Sequence, residues 1–339
     1  MKVAALTGGR DVPSARFRVR QLIPDLRKEA VYVTELVPTH GRYPPPGGVG
    51  RRLLWGVSAL AERVPYVAHT HHYDITLLQR ELLSTFVTLE PFTKRPRVLD
   101  VDDAIFLRRQ GKAAEGLARM SDLVICGNDF LAEHFIKWNR KVVVIPTAVD
   151  TERFSPIESS SDIVDRPIIG WIGTSGNFKY LYQIEKALEN VMRKCNGMIL
   201  RVIADKRPRF KGRLNDRLEF IQWSPDIEAS GVKTMSIGIM PLGDGDWERG
   251  KCAYKMLQYM SCGVPVVASP VGMNAEVLSL GTVGFSANSY NEWIESLEQL
   301  LMNESLRDHM GKIGRDVVKR FFSLEVVAES LAENLMRFK

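Results

Sequence analysis

Two lysines at a predicted helix start are the first residues in this sequence whose types and spacing suggest chemistry. Lys251 and Lys255 are four residues apart, so a helix over Cys252–Ser261 would carry both on one face. A helix N-terminus adds unpaired N–H groups and a partial positive charge. The pattern predicts a diphosphate site, although two solvated surface lysines would produce the same spacing.

The elements around these lysines predict a βαβ unit of a parallel sheet. Met235–Met240 and Val264–Ser269 are apolar strand candidates, separated by the Gly-containing polar loop Pro241–Gly250 and the helix. A Gly turn at Val271-Gly272 then leads into another helix near Asn274. Ligands of such sheets bind at the carboxyl ends of the strands, which is where the polar loop would lie.

Two more strands end in Gly-rich turns that suit an anion. Lys2–Leu6 runs into Gly8-Gly9 and then into an arginine-rich helix start that contains Arg16. In the second half, Ile168–Ile172 runs into the loop Gly173–Lys179. The first turn lacks the GxGxxG spacing, so a plain strand-to-helix turn with solvated arginines is the alternative.

Acidic residues crowd the end of the strand predicted at Arg97–Val101. Asp100, Asp102 and Asp103 would require a cation or sugar hydroxyls nearby, or one of them would have a raised pKa. The alternative is an ordinary acidic helix start. Gln79-Arg80-Glu81 follows the strand before it and is expected at the same sheet edge.

Composition narrows the class of protein. The 339 residues suggest two domains, and a net charge of +6 suits an anionic ligand or an anionic membrane surface. No long basic run supports nucleic-acid binding. The four cysteines lack CxxC spacing, and His69, His71 and His72 have no acidic partner at ligand spacing, so no metal is expected. No apolar run reaches about 18 residues, and we expect a cytoplasmic protein, with peripheral membrane association as a further expectation.

A helical stripe at Arg51–Val64 has two interpretations. Its apolar residues either pack on the sheet, which we favour, or lie on a membrane interface together with Trp55 and neighbouring arginines. At domain scale, the alternation of strands and helices predicts two Rossmann-like α/β domains facing a cleft. The predicted divisions are residues 1–153, a linker at 154–167, residues 168–322, and a C-terminal helix at 323–339 that packs back on the first domain.

Seven stretches in order make the chain resemble the GT-B glycosyltransferases of family 4 (glycosyl transferases group 1). They are SARFRVRQLIPDL, RVLDVDDAIF, SDLVICGNDFLAEHF, VVVIPTAVDTERF, IIGWIGTSGNFKYL, IGIMPL and GKCAYKMLQYMSCGVPVVASPVGMNAEV. The resemblance implies retaining transfer of a sugar, without a metal, from a nucleotide diphosphate donor on the C-terminal domain. It implies a glycan, lipid-linked or small-molecule acceptor on the N-terminal domain, and a role in cell-envelope polysaccharide synthesis.

The resemblance also assigns roles to residues of this sequence. Lys179 falls where the family supplies a cation to the diphosphate, Thr174 where an arginine is usual, and Asp102 where many relatives have a histidine. The family's two glutamates fall on Gly250 and Gln258, so Glu248 or Lys251 would contact the sugar instead, and Gln258 would hydrogen-bond a ribose hydroxyl. Residues 222–224 would meet the base, and residues 272–274 would direct backbone N–H groups toward the diphosphate. The catalytic candidates are Asp102, Asp103, Lys251 and Lys255. The donor-binding candidates are Gly9, Arg16, Gly173, Thr174, Lys179, Gln222, Trp223, Ser224, Glu248, Arg249, Gly250, Gln258, Gly272, Met273 and Asn274.

The missing glutamates leave other functions open. A non-catalytic nucleotide-sugar binding protein would not need them. A GT-B epimerase or hydrolase of nucleotide sugars would need acid–base residues at the sugar, for which the aspartates at Asp100–Asp103 are the candidates.

Overall fold

The computed structural model describes residues 1–83, 85–157 and 166–339, which form two compact units. Unit 1 contains Met1–Ala148, Arg249–Cys252 and Leu324–Lys339, and unit 2 contains Val149–Glu248 and Ala253–Ser323. Most of the predicted linker falls on residues 158–165, outside the described residues.

Unit 1 is built on a six-stranded parallel sheet in the order β2-β1-β3-β4-β5-β6. Its strands are β1 (Lys2–Leu6), β2 (Tyr32–Leu36), β3 (Ile75–Gln79), β4 (Arg97–Val101), β5 (Leu123–Cys126) and β6 (Val142–Val144). Its helices are α1 (Pro13–Arg18), α2 (Ile23–Lys28), α3 (Val49–His69), α4 (Lys112–Met120), α5 (Asp129–Phe135) and α14 (Leu324–Met336). The central strands β3 and β4 are buried throughout, as expected when helices cover both faces of a parallel sheet.

Unit 2 repeats this architecture with the strand order β12-β11-β10-β7-β8-β9. Its strands are β7 (Ile168–Ile172), β8 (Ile199–Ala204), β9 (Leu218–Gln222), β10 (Ile237–Met240), β11 (Val266–Ala268) and β12 (Gly284–Ser286). Its helices are α6 (Phe178–Gln183), α7 (Glu185–Lys194), α8 (Pro225–Lys233), α9 (Asp246–Arg249), α10 (Tyr254–Ser261), α11 (Met273–Ser279), α12 (Tyr290–Met302) and α13 (Glu304–Phe321). The last residue of α9, Arg249, is assigned to unit 1. The predicted fold class, with two Rossmann-like α/β units, is confirmed.

The last helix belongs to the core of unit 1. Val327, Leu331 and Leu335 of α14 are buried in one cluster with Val3 of β1 and Leu26 of α2. A separate apolar cluster in unit 2 surrounds Trp171, Leu200 and Trp293. Each sheet therefore has its own core, and the chain returns to the first core after completing the second.

The helix α3 is longer than predicted and packs differently. The prediction that the apolar stripe packs on the sheet is wrong, because Leu53, Leu54 and Val57 are 65–73% exposed. The buried residues of α3 are Ala59, Arg63 and Val67, all in its second half. The buried part of the helix is therefore its second half.

Polar contacts fix the second half of α3 to the loop before it. The Glu62 carboxylate accepts hydrogen bonds from Thr39 and His40 at 2.5–3.0 Å. Arg63 donates to the His40 carbonyl at 2.8 Å. Although burial opposes the charge of Glu62, these hydrogen bonds lower its pKa to about 2.

We therefore expect Glu62→Gln to destabilise the protein by about 1–2 kcal/mol at pH 7, since hydrogen bonds to a charged group are lost. The folded pKa of Glu62, about 2, lies below its ordinary value of 4.5. Its contribution is thus present above pH 4.5 and lost as the pH falls toward 2. The difference in unfolding temperature between the unmodified protein and Glu62→Gln should narrow as the pH falls over this range. Glu29→Gln, at an exposed site, should unfold at the same temperature as the unmodified protein. An equally large difference in unfolding temperature at pH 3 would contradict this account.

Candidate functional site

A buried ion pair lies under the strand ends of unit 1. Arg18 donates from Nε and Nη2 to the Asp100 carboxylate at 2.5–3.2 Å, and from Nη1 to the Ile145 carbonyl at 2.7 Å. Burial opposes the charge of Arg18, but Asp100 raises its pKa, so the guanidinium remains charged. Because Asp100 is paired with Arg18, two of the three aspartates of the predicted acidic cluster remain accessible.

These two carboxylates, Asp102 and Asp103, lie beside Arg80. Arg80 Nη1 donates to Asp103 Oδ2 at 2.8 Å and lies 3.7 Å from Asp102 Oδ1. Gln79 Nε2 donates to Asp102 Oδ1 at 3.4 Å. Burial, with the charge of Asp102, raises the pKa of Asp103. Arg80 is therefore the cation that the crowded carboxylates require. The Asp102 and Asp103 side chains remain 14% and 29% exposed, so both can still accept a hydrogen bond from a hydroxyl group.

Two residues of the loop between β2 and α3, which is rich in Pro and Gly, complete this cluster, and the sequence did not indicate them. Arg42 Nη2 donates to the Gln79 carbonyl at 2.5 Å and to Gln79 Oε1 at 2.8 Å, and the Tyr43 hydroxyl accepts from Arg80 at 3.1 Å. Burial, then the charge of Arg80, lower the pKa of Arg42 to about 10. A Cβ on Gly8 would lie 2.8 Å from Arg42 Nη2, so the absent side chain at Gly8 makes room for the guanidinium.

The segment Arg249–Cys252 also lies in unit 1. Asn128 Nδ2 donates to the carbonyls of Arg249 and Lys251 at 3.1 and 3.0 Å. Cys252 Sγ donates to the Asp102 carbonyl at 3.3 Å. The charge of Lys251 acts on Asp103 and offsets part of the effect of burial. Lys251 is therefore near enough to Asp103 for its charge to favour the ionised carboxylate.

The prediction that Lys251 and Lys255 share one helix face is wrong. The helix α10 begins at Tyr254, because Ala253 has a left-handed backbone with φ of +49° that interrupts a right-handed helix. Lys251 precedes this break and Lys255 follows it. The two lysines therefore belong to different units, and Lys255 alone is on α10.

Lys255 is the cation at the carboxyl end of β7. Its Nζ lies 4.7 Å from the centroid of the Trp171 ring, within the range of a cation–π contact. A Cβ on Gly173 would come within 2.7 Å of Lys255 Cε and 2.8 Å of Nζ. The residue after β7 must therefore be small for the ammonium group to occupy this position.

Lys179 forms a second basic site in unit 2, and its partners were not all predicted. Its Nζ lies 3.3 Å from Glu248 Oε1, and the Tyr180 hydroxyl donates to the same oxygen. Burial opposes the charge of Glu248, but these hydrogen bonds lower its pKa. The side chain of Lys179 is 61% exposed. Glu248, expected at the sugar, is engaged in positioning Lys179.

The loop that carries Lys179 is shaped by its own polar contacts. The backbone N–H and hydroxyl of Ser175 donate to Asp205 at 2.5 and 2.7 Å. Thr174 Oγ1 accepts from Asn177 at 3.0 Å. These hydrogen bonds stabilise the conformation of the Gly173–Lys179 loop at the strand ends of unit 2.

The three residues predicted to meet the base have different surroundings. Gln222 Nε2 donates to the Asp205 carbonyl at 3.2 Å, and the Ser224 hydroxyl caps α8 by accepting from the backbone of Ile227. The Trp223 side chain is 37% exposed. Of the three, Trp223 is the aromatic residue, and it is accessible to a base.

The turn at Gly272 only partly matches its prediction. Gly272 has φ of +52° and Met273 is buried. The backbone N–H of Asn274 donates to the Val271 carbonyl at 3.2 Å, and its Nδ2 donates to the Ser269 carbonyl at 3.0 Å. Asn274 therefore stabilises the turn, and its N–H group is not available to a diphosphate as predicted.

Neither position of the family's glutamate pair can take that role here. A Cβ on Gly250 would lie 2.8 Å from Ala104 Cβ and 2.9 Å from its backbone nitrogen, which excludes a glutamate. Gln258 is buried and donates to Glu228 Oε1 at 3.0 Å, so its amide contacts Glu228 where a ribose was expected. Glu228, which the sequence did not indicate, also pairs with Arg153 at 3.1 Å.

The remaining predicted residues, Gly9 and Arg16, follow β1 in unit 1. Gly9 has φ of +136°, and its carbonyl accepts from the backbone of Val12 at 3.4 Å. The Arg16 guanidinium lies 4.8 Å from the Phe17 ring centroid. The structure places both at the turn into α1.

The described part of the chain contains neither a metal-binding cluster nor a membrane-spanning helix. No group of three or more His, Cys, Asp or Glu side chains among residues 1–83, 85–157 and 166–339 is placed to hold a metal ion. Over the same residues, no helix combines the length and apolar character that crossing a bilayer requires.

One family model matches part of the chain. Residues 166–303 match the family model described as glycosyl transferases group 1. No curated protein sequence matches the chain significantly.

Solved structures match over the whole chain. HepE from Anabaena, in complex with UDP-glucose, has a TM-score of 0.74 at 16% identity, covering 99% of this chain and 100% of that one. Sucrose-phosphate synthase from Thermosynechococcus elongatus has a TM-score of 0.73 at 16% identity, covering 99% and 98%. WaaG, a glycosyltransferase involved in lipopolysaccharide biosynthesis, has a TM-score of 0.65 at 14% identity, covering 98% and 99%. Residues 166–303 are thus similar to the glycosyl transferases of group 1, and the chain has the GT-B fold of these solved structures.

Proposed function

We propose that this protein is a retaining glycosyltransferase that moves a hexosyl group from a nucleotide diphosphate sugar to a glycan, lipid-linked or small-molecule acceptor. The observation that carries the proposal is Lys255, whose ammonium group lies against Trp171 in space that Gly173 leaves open. A cation held at the carboxyl end of a parallel sheet suits a diphosphate. UDP-glucose, which is bound in the HepE structure, is the first donor to test.

In the proposed reaction, the acceptor oxygen forms a bond to the anomeric carbon as the bond from that carbon to the diphosphate breaks. The diphosphate leaves with the electron pair, and one of its oxygens takes the acceptor proton. Lys255 and Lys179 neutralise the charge that develops on the leaving group, which is where fixed cations contribute most. Attack from the face that the diphosphate leaves gives retention.

The cluster of unit 1 is proposed to bind the acceptor or the sugar. Asp102 and Asp103 accept hydrogen bonds from hydroxyl groups, while Arg80 and Lys251 limit the repulsion between the two carboxylates. Neither carboxylate is proposed as a nucleophile. In unit 2, Trp223 stacks on the base, and Gly272 and Met273 direct backbone N–H groups toward the diphosphate.

A non-catalytic nucleotide-sugar binding protein is the second candidate. It is favoured by the environments of Gly250 and Gln258, since one position has no room for a glutamate and the other side chain contacts Glu228. Such a protein would retain Lys255 and Lys179 for binding.

We expect calorimetric titration with UDP, GDP, ADP and TDP to give tight binding of one nucleotide, equally without metal and with Mg²⁺. Lys255→Ala should weaken that binding at least tenfold, about 1.4 kcal/mol, because a charged contact to the diphosphate is lost. Lys186→Ala, at an exposed site on α7, is the control and should bind like the unmodified protein. No binding of any nucleotide would contradict the donor site.

Turnover separates the two candidate functions. The matching nucleotide sugar should release its nucleotide only when an acceptor mixture is present, and the product should retain the anomeric configuration by NMR. Binding without turnover on any acceptor would favour the non-catalytic candidate.

A further inference from the structure

The first half of α3 exposes apolar side chains that the proposed reaction does not use. Val49, Leu53, Leu54 and Val57 are 65–76% exposed. We call residues 49–57 the α3 tip, and we propose that it docks on an anionic lipid bilayer.

The α3 tip continues from the second half of the helix, which hydrogen bonds fix in place. Arg63 is 1% exposed and donates to the carbonyls of Ala59 and His40, and Glu62 accepts from Thr39 and His40. These contacts fix the second half of the helix, so the tip extends from it as a continuous helix. Leu53 and Val57 are four residues apart and lie on one side of the helix, as in helices that bury an apolar stripe at a membrane surface.

Charge identifies an anionic bilayer as the occupant. Within the α3 tip, Arg51 and Arg52 are exposed and no residue is acidic. Unit 1 has 26 Lys and Arg against 18 Asp and Glu, a formal charge of +8, whereas unit 2 has 20 against 22, or −2. The basic excess of the chain is thus confined to the unit that exposes the tip. A second copy would bring two such units together, which like charge disfavours, whereas an anionic lipid surface attracts them.

The α3 tip also connects to the cluster proposed to bind the acceptor. Five residues separate Val49 from Tyr43, whose hydroxyl accepts from Arg80, the partner of Asp103. Among the three acceptor classes, this connection favours a lipid-linked one. The acceptor class rests on the proposed function, whereas bilayer docking does not depend on it.

Flotation with vesicles of phosphatidylcholine alone or with 30% phosphatidylglycerol tests the docking. We expect the unmodified protein to bind the anionic vesicles and to be released by added salt. Arg51→Gln/Arg52→Gln should weaken binding roughly 30-fold, since each arginine near an anionic surface contributes about fivefold. Leu53→Gln/Leu54→Gln should weaken it at least tenfold, because the buried apolar area is lost.

Met302→Gln is the matched control, because Met302 is 78% exposed and lies in unit 2; it should bind like the unmodified protein. All variants alter exposed side chains, and unchanged thermal unfolding verifies their folding. No binding to anionic vesicles, or equal binding by the leucine variant, would overturn the proposal. A dimer in light scattering that the leucine variant converts to a monomer would also overturn it, because the tip would then be an interface between copies. Loss of vesicle binding with a normal nucleotide affinity would separate the docking from the donor site.

Discussion

Lys255→Ala is expected to lower the rate of sugar transfer by about 100- to 1,000-fold, the range found when one group that stabilises developing charge is removed. The structure gives two reasons for so large an effect. The ammonium group is placed in advance by the Trp171 ring at 4.7 Å, so little reorganisation is needed as the diphosphate leaves. Its position also depends on the missing side chain at Gly173. Initial rates at saturating donor measure the change.

Gly173→Ala provides an independent test of the same position. The added Cβ would lie 2.8 Å from Lys255 Nζ and 2.7 Å from the Trp171 ring, and it would displace the ammonium group without removing its charge. We expect a fall of about tenfold in kcat, smaller than for Lys255→Ala, because misplacing a catalytic group by about 1 Å can cost up to 100-fold. A Lys255→Ala protein with full turnover and unchanged donor affinity would exclude Lys255 from the reaction.

The fold could be predicted from sequence because its signals are local. Strands such as Ile168–Ile172 and Arg97–Val101 coincide with apolar runs, which parallel sheets produce when both faces are covered. Local sequence signals did not predict the start of a helix where a single backbone angle determines it. Nothing in the sequence indicates that Ala253 has a left-handed conformation. Because of it, α10 begins at Tyr254 and not at Cys252 as predicted.

The candidate site was less predictable because it depends on contacts between distant parts of the chain. The carbonyls of Arg249 and Lys251 accept from Asn128, more than 100 residues earlier, so Lys251 belongs to unit 1 although Lys255 belongs to unit 2. The exclusion of a glutamate at Gly250 depends on Ala104, also distant in sequence. Spacing along one helix contains no information about such contacts.

Asp100→Asn is expected to destabilise unit 1 by about 3–5 kcal/mol, because it leaves the Arg18 charge buried without its partner. The Arg18 side chain is 4% exposed and the Asp100 side chain 5%, so water cannot replace the lost carboxylate. The midpoint of thermal unfolding should fall by roughly 10 °C. Hydrogen exchange should rise in β1, β3 and β4, whereas the sheet of unit 2 should exchange as before.

A double replacement distinguishes a charge effect from lost packing. Arg18→Met/Asp100→Leu removes both charges and fills similar volume, and buried pairs replaced in this way often lose little or no stability. It should therefore recover most of the loss seen in Asp100→Asn. Glu115→Gln, which breaks the exposed pair with Arg119, should cost less than about 0.5 kcal/mol. If the double variant were as unstable as Asp100→Asn, the unpaired charge of Arg18 would not be the cause of the lost stability.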